Sequence, residues 1–366
     1  MNKLDLNTFK RDNSFYGELN LLLTVKSFEL KKIRERYLAS KKNNNSKVGS
    51  GERREKARGG IIEIKIKDGG VLYENKIIEC VEPRGIDLID TCFAFSSENK
   101  VFIVDENKIN VIQDDWFSYI HTVKFSPCKK NILISSSGFD VIFEFDVFLL
   151  SKKFEWFAWE NGFNKSVDKN NKELFLTKDE KKAKAWERDH INFKLIKTPN
   201  SGSLPTALRA AFINSVNYNN QNSNQLLATL FHKGAVCLID KKTKKSQIVL
   251  DGLSSPHGGK AYQNEFMATS TASGEVVLGN QIYSFTNLEG KLASLANLEW
   301  IQNTINRGDL FISIDSNRNS FIIFDIKNKL IDIVPFNDNW AIQDLIFGKL
   351  KTGKIRLLDD LQIPMN

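Results

Sequence analysis

The chain has 366 residues, 41% of them hydrophobic, and a formal net charge of +8, a composition that supports a sizeable core and excludes wholesale disorder. Lys3, Asp5, Lys10, Arg11 and Asp12 break up the first 16 residues and leave no apolar middle of the kind a secretory signal needs; no later apolar run approaches the ~20 residues that cross a bilayer, so a cytoplasmic location is expected. Cys80, Cys92, Cys128 and Cys237 contain no Cys-x-x-Cys pair, which argues against a zinc site and a disulfide framework, and they are expected to be buried as small apolar side chains.

In chain order, Leu19 to Val25 and Ile61 to Ile66 read as β-strands. Between them, Lys31 to Arg58 carries 11 Lys or Arg against three Glu, so nearly the whole positive excess of the chain is concentrated here. Asn43-Asn44-Asn45, Gly49-Ser50-Gly51 and Gly59-Gly60 punctuate this stretch, and it is expected to form a basic mobile loop over residues 31–60, either merely solvated or in contact with a polyanion or protein. Further strands are expected at Val101 to Val104, Ile132 to Ser135, Val141 to Phe145, Leu226 to Leu230, Val236 to Ile239, Phe311 to Ile314 and Phe321 to Phe324, separated by Gly, Asn, Asp and Ser clusters. Helical periodicity is weak, and the pattern is all-β. Between about residues 160 and 205 lies an insertion with the charged run Lys178 to Arg188, expected to be a short helix or hairpin; with Trp186 it would be either a lid over the site or a plain decorated loop.

Spacing selects the architecture. Four strands end in aspartate after apolar residues, at Asp105, Asp146, Asp240 and Asp325, with intervals of 41, 94 and 85 residues. A second landmark, a polar residue at the start of an apolar strand, falls at Arg84, His121, Asn214, His257, Gln302 and Gln343, with intervals of 37, 93, 43, 45 and 41. Both series share one unit of roughly 40 to 45 residues and place the long insertion in the same gap, which predicts a single β-propeller domain of six blades over residues 1–366. The Gln343 segment would supply the innermost strand of a blade whose outer strands come from the N-terminal region.

The unit Ile120-His121-Thr122-Val123-Lys124-Phe125-Ser126-Pro127, followed by Ile132 to Asp140 and Phe143-Glu144-Phe145-Asp146, resembles a WD40-type propeller repeat. Gly138 to Asp146, leading to Phe154-Glu155-Trp156-Phe157-Ala158-Trp159-Glu160-Asn161-Gly162, is similar over about 45 residues to a segment of arylsulfotransferase-like propellers. That resemblance implies six blades and a channel site built from histidines and an arginine, for which His121, His257 and Arg84 would stand.

On the propeller reading, Arg84, His121, Asn214, His257, Gln302 and Gln343 converge at the channel mouth and would bind a small polar or anionic molecule, with Arg84 making a forked contact. A histidine in such a ring would equally serve as a structural hydrogen-bonder, and a metal held by His121 and His257 is a third arrangement. Were the site catalytic, His121 or His257 would be the base or nucleophile, with Asp115 and Asp344 the nearest candidate carboxylates. A non-catalytic scaffold for protein or polyanion and a propeller transferase are the competing functions. The sequence leaves the cofactor unknown, and His190 and His232 stand outside the landmark series.

Overall fold

In the second and third strands of several units, successive side chains are apolar rather than alternate ones, as in Ile132-Leu133-Ile134 and Phe321-Ile322-Ile323-Phe324. Such strands need cover on both faces. The computed structural model, which describes residues 2–42, 49, 51–52, 55–168, 170–199, 202–359 and 361, supplies that cover by stacking four-stranded sheets face to face around a ring.

The fold is a six-bladed β-propeller. Blade 1 runs outward from Ala341–Phe347 through Leu19–Ser27 and Arg58–Lys67 to Gly70–Val81. Blade 2 comprises Ile86–Ile89, Cys92–Ser97, Lys100–Val104 and Ile109–Ile112; blade 3 comprises Ile120–Phe125, Asn131–Ser136, Val141–Asp146 and Lys152–Phe157. Blade 4 is Ile213–Tyr218, Gln225–Leu230, Ala235–Asp240 and Ser246–Leu250, blade 5 is Pro256–Tyr262, Glu265–Ser270, Glu275–Leu278 and Gln281–Ser284, and blade 6 is Ile301–Arg307, Leu310–Asp315, Ser320–Asp325 and Leu330–Pro335. The expected closure is therefore present: a C-terminal strand pairs antiparallel with Leu19–Ser27. The N-terminal residues add a second fastening, because Asn2–Asp5 pairs parallel with the outer strand of blade 5 and Lys10–Arg11 with that of blade 6. Both outer edges are thus covered where strands would otherwise be open to pairing.

Among the described residues, six clusters of buried apolar side chains hold the ring, largely between neighbouring blades. One packs Leu21, Leu23 and Ile64 of blade 1 on Ile312, Ile314 and Phe321 of blade 6, and another packs Leu22 and Ile61 of blade 1 on Phe93 and Phe102 of blade 2. The closure blade is thereby sealed on both sides.

The strand-ending aspartates cap turns. Asp146 Oδ1 accepts from the Phe148 and Leu149 amides, both at 2.9 Å, Asp240 Oδ1 from the Thr243 amide at 2.7 Å, and Asp325 Oδ1 from the Lys327 and Asn328 amides at 2.8 and 2.7 Å. Each carboxylate satisfies amides that the tight turn leaves without a ladder partner, which is why the residue type recurs at that position.

Three local expectations are corrected. The first part of the basic segment is helix α1, Leu30–Lys42, rather than a loop; Leu30, Ile33, Arg34 and Tyr37 share one face at i, i+3, i+4 and i+7 and turn it toward the propeller. Residues 43–48, 50 and 53–54, including Lys47, Arg53 and Arg54, lie outside the described residues. The insertion between blades 3 and 4 forms its own three-stranded sheet, Lys165–Val167, Glu173–Thr177 and Phe193–Leu195, with helix α2 at Glu180–Arg188. Trp186 packs within it against Phe175 and Phe193, with ring centroids 5.6 and 6.1 Å apart, and so is no lid over the channel. Finally, Cys80 and Cys237 are buried, but Cys92 is half-buried and Cys128 exposed, because Cys128 falls in the turn linking the first two strands of blade 3. No helix among the described residues is long and apolar enough to cross a membrane.

Candidate functional site

The polar landmarks coincide with irregularities of the innermost strands. Each of blades 1, 3, 4, 5 and 6 carries a register shift there: at Gln343, His121, Asn214, Gly258-Gly259 directly after His257, and Gln302-Asn303. A bulge leaves one residue out of the ladder and re-aims its side chain, so a polar group that would meet the neighbouring blade turns into the channel instead. In blade 5 the bulge depends on glycine: Gly258 has φ +64°, and a Cβ there would sit 2.1 Å from Asn303 Oδ1. Two residues before the landmark, Glu82, Tyr119, Phe212 and Ser255 all take left-handed backbone, with φ between 43° and 54°, a repeated turn into the inner strand that side-chain bulk disfavours.

Arg84, His121, His257, Gln302 and Gln343 line one cavity of about 600 Å³ at the channel mouth. The sixth landmark, Asn214, faces a smaller chamber of about 170 Å³ deeper in the channel, which His121, His257 and Gln343 also border. The ring thus forms a polar floor between two spaces.

The two histidines differ. His257 Nδ1 bonds Thr271 Oγ1 at 2.7 Å, and His257 Nε2 bonds the Gln302 carboxamide nitrogen at 3.0 Å. That nitrogen can only donate, so Nε2 accepts and the Nδ1 proton goes to Thr271. Gln302 Oε1 is in turn fixed by the Trp300 indole at 2.8 Å. Burial, followed by repulsion from Lys26, pushes the His257 imidazolium down to about 3, and the ring stays neutral at physiological pH. With both nitrogens engaged and no carboxylate partner among the described residues, His257 is an unsuitable base, nucleophile or metal ligand.

His121, by contrast, makes no side-chain hydrogen bond among the described residues and opens onto both spaces. Burial, then the charges of Arg84, His257, Lys26 and Arg209, hold it well below its ordinary value. Its contacts are to rings: Phe212 edge-on at 5.5 Å and His257 at 6.4 Å between centroids. Neither expected carboxylate orients it, since Asp344 is bonded to Asn303 Nδ2 at 2.6 Å, and Asp115 forms no part of either cavity.

Several contributors were not legible as landmarks. Arg209, 1% exposed, comes from the end of the insertion and lies between Tyr119 and Phe212, its guanidinium 4.6 and 4.8 Å from the two ring centroids. Arg84 approaches the same Tyr119 ring at 5.6 Å and pairs with buried Glu82 at 2.9 Å. Lys26 donates to Gln343 Oε1 at 3.0 Å. Helix α1 covers the mouth, with Tyr37 edge-on to Trp300 at 4.9 Å and Arg34 bonded to the Ser316 carbonyl and Asn319 Oδ1. Among the described residues, the lining therefore holds five cationic side chains, Lys26, Arg34, Arg36, Arg84 and Arg209, against one carboxylate, Glu52, and five aromatic rings, Tyr37, Tyr119, Phe212, Phe231 and Trp300. Elsewhere in the basic segment, Lys32 pairs with Glu29, Lys56 with Glu98 and Arg58 with Glu79.

The remaining histidines line neither cavity. His232 bonds the Thr206 carbonyl at 2.8 Å, and the exposed His190 occupies a left-handed turn after α2. The segment that resembles arylsulfotransferases is architectural: Trp156 donates to the Lys244 carbonyl at 3.0 Å, and Trp159 to Asp140 Oδ2 at 3.2 Å.

No family model matches the chain, and no curated protein does. Solved structures do. A chain of a nidogen–laminin complex aligns with a TM-score of 0.52 at 10% identity, over 90% of this chain and 97% of that one. A protein of unknown function from Bacteroides caccae gives 0.49 at 11% identity, over 90% and 98%, and virginiamycin B lyase from Staphylococcus aureus gives 0.41 at 11%, over 70% and 84%. At such identities the likeness speaks to the β-propeller fold alone.

Proposed function

We propose that the protein binds an organic anion with an aromatic or otherwise planar body in the cavity at the channel mouth. The observation that carries this reading is the pairing of Arg84 and Arg209 around one Tyr119 ring within a wall that, among the described residues, has five cations and a single carboxylate. Guanidinium groups held against rings keep their planes fixed, so donors are preorganised for a carboxylate, sulfonate or phosphate, while Trp300, Phe231 and Phe212 offer faces for the body of the ligand. Neutral His121 adds one donor and one acceptor without competing charge.

Titration with an anilinonaphthalene sulfonate, read by its fluorescence, tests the proposal. Arg209→Met and Arg84→Met, which keep the aliphatic stems, are each expected to weaken binding about tenfold or more, the ~1.5–3 kcal/mol of a charge-assisted hydrogen bond. Unaltered affinity in both variants, with the fold intact by circular dichroism, would refute it. The competing reading, a polyanion platform through Lys31 to Arg58, predicts instead that heparin binding survives both substitutions.

A further inference from the structure

Below the imidazole floor, the chamber of about 170 Å³ has no role in anion binding at the mouth. Its wall is a second tier of the same inner strands, in which Lys124 and Lys260 stand four residues beyond Ile120 and Pro256, where those strands begin. In an unbroken strand His257 and Lys260, three apart, would point to opposite faces. The bulge at Gly258-Gly259 removes that alternation and turns both into the channel.

The two lysines are not equivalent. Lys124 lies 3.5 Å from Asp87 and 3.9 Å from Asp344, and donates to the Ile86 carbonyl at 3.0 Å. Among the described residues, Lys260 has one hydrogen bond, a long one of 3.4 Å to the Thr304 carbonyl, and no ion pair. The chamber also holds an acceptor with no partner among the described residues, Asn214 Oδ1, on a side chain 2% exposed. Burial, then the neighbouring Lys124 charge, bring the Lys260 ammonium down to about 7, against an opposing pull from Asp344. A lysine desolvated beside a second cation presents a free amine near neutral pH.

We infer that Lys260 is a nucleophilic lysine that forms a reversible imine with a small carbonyl compound entering the channel. A space of this size takes roughly a benzene-sized molecule, so the partner is a short aldehyde or 2-oxo acid. The Nζ lone pair adds to the carbonyl carbon, and its proton passes to the carbonyl oxygen by way of the Asp344 carboxylate that shares the chamber. The carbinolamine then expels that oxygen as water, the second Nζ proton passing to the departing hydroxyl through the same carboxylate, and leaves a carbon–nitrogen double bond with no change of oxidation state. Asn214 Oδ1 accepts from the hydroxyl of the carbinolamine. The inference is independent of the anion site above.

The test is reductive trapping of the full chain with limiting glyoxylate and cyanoborohydride at pH 7, followed by peptide mapping. An amine titrating near 7 is about 10³ times more populated at that pH than one near 10.4, and carboxymethylation of Lys260 is expected at least tenfold faster than that of exposed lysines such as Lys245. Lys260→Arg should abolish the adduct in its peptide, and the rate in the unaltered protein should level off just above pH 7. Modification no faster than at surface lysines, or a rate still rising steeply at pH 9, would overturn the inference.

Discussion

At the scale of single residues, the informative contrast is between two histidines that look alike in sequence. Both follow an apolar residue or proline at the start of an inner strand, and periodicity alone makes them equivalent. One hydrogen-bond chain separates them: Trp300 holds Gln302, Gln302 holds His257, and His257 holds Thr271. Nothing in the local sequence around His257 announces Thr271 or Trp300, because those partners arrive from other strands and loops. The chain has a measurable signature in stability. Since His257 is held at about 3 when folded and titrates near 6.5 when unfolded, the unfolded state takes up the proton first as pH falls. Folding stability is then complete above about pH 6.5 and declines toward pH 3 by up to about 1.4 kcal/mol per pH unit from this residue. Urea midpoints at pH 7 and pH 5 should differ less in His257→Gln than in the unaltered protein; an identical difference would mean that His257 is not buried neutral. Arg209 was invisible for another reason. It sits in the insertion, outside any repeat, and only the ring closure brings it over Tyr119.

At the scale of elements, the polar landmarks were readable as positions and unreadable as geometry. The sequence shows a polar residue interrupting an apolar strand start, and the cause of the interruption is a bulge, which depends on the register of the partner strand. Helix α1 was missed although its spacing of Leu30, Ile33, Arg34 and Tyr37 is a helical stripe; the density of Lys, Arg, Asn and Gly around it masked four residues of pattern. The resemblance carried by Phe139-Asp140 and Trp159 proves to be a structural lock. Asp140 accepts from the Trp159 indole at 3.2 Å and from the Ala210 and Ala211 amides at 2.9 and 3.0 Å, so it fastens blade 3 to the chain that re-enters as blade 4. Asp140→Ala would leave those buried donors without an acceptor, at a cost of about 3 kcal/mol or more. Chemical denaturation should show that loss together with weaker binding at the mouth, since Arg209 immediately precedes Ala210. A loss under about 1 kcal/mol would show that the lock is dispensable.

At the scale of the whole molecule, the repeat of roughly 40 to 45 residues was enough to give six blades and the closure of the first by the last strand, because propeller geometry follows from unit length and number more than from any one side chain. What the repeat could not give is that six polar positions divide between two spaces, five around the mouth cavity and Asn214 on the inner chamber. Nor could it give the cationic and aromatic walls contributed by α1 and by the end of the insertion. These elements differ from blade to blade, and it is they that give one face of a symmetric ring a chemical preference. The most direct measurement is a crystal structure with a brominated naphthalene sulfonate, located by its anomalous signal. The sulfonate is expected between Arg84 and Arg209, with the ring system toward Trp300 and Phe231. Bromine bound away from the channel mouth while the cavity stays filled with solvent would contradict it.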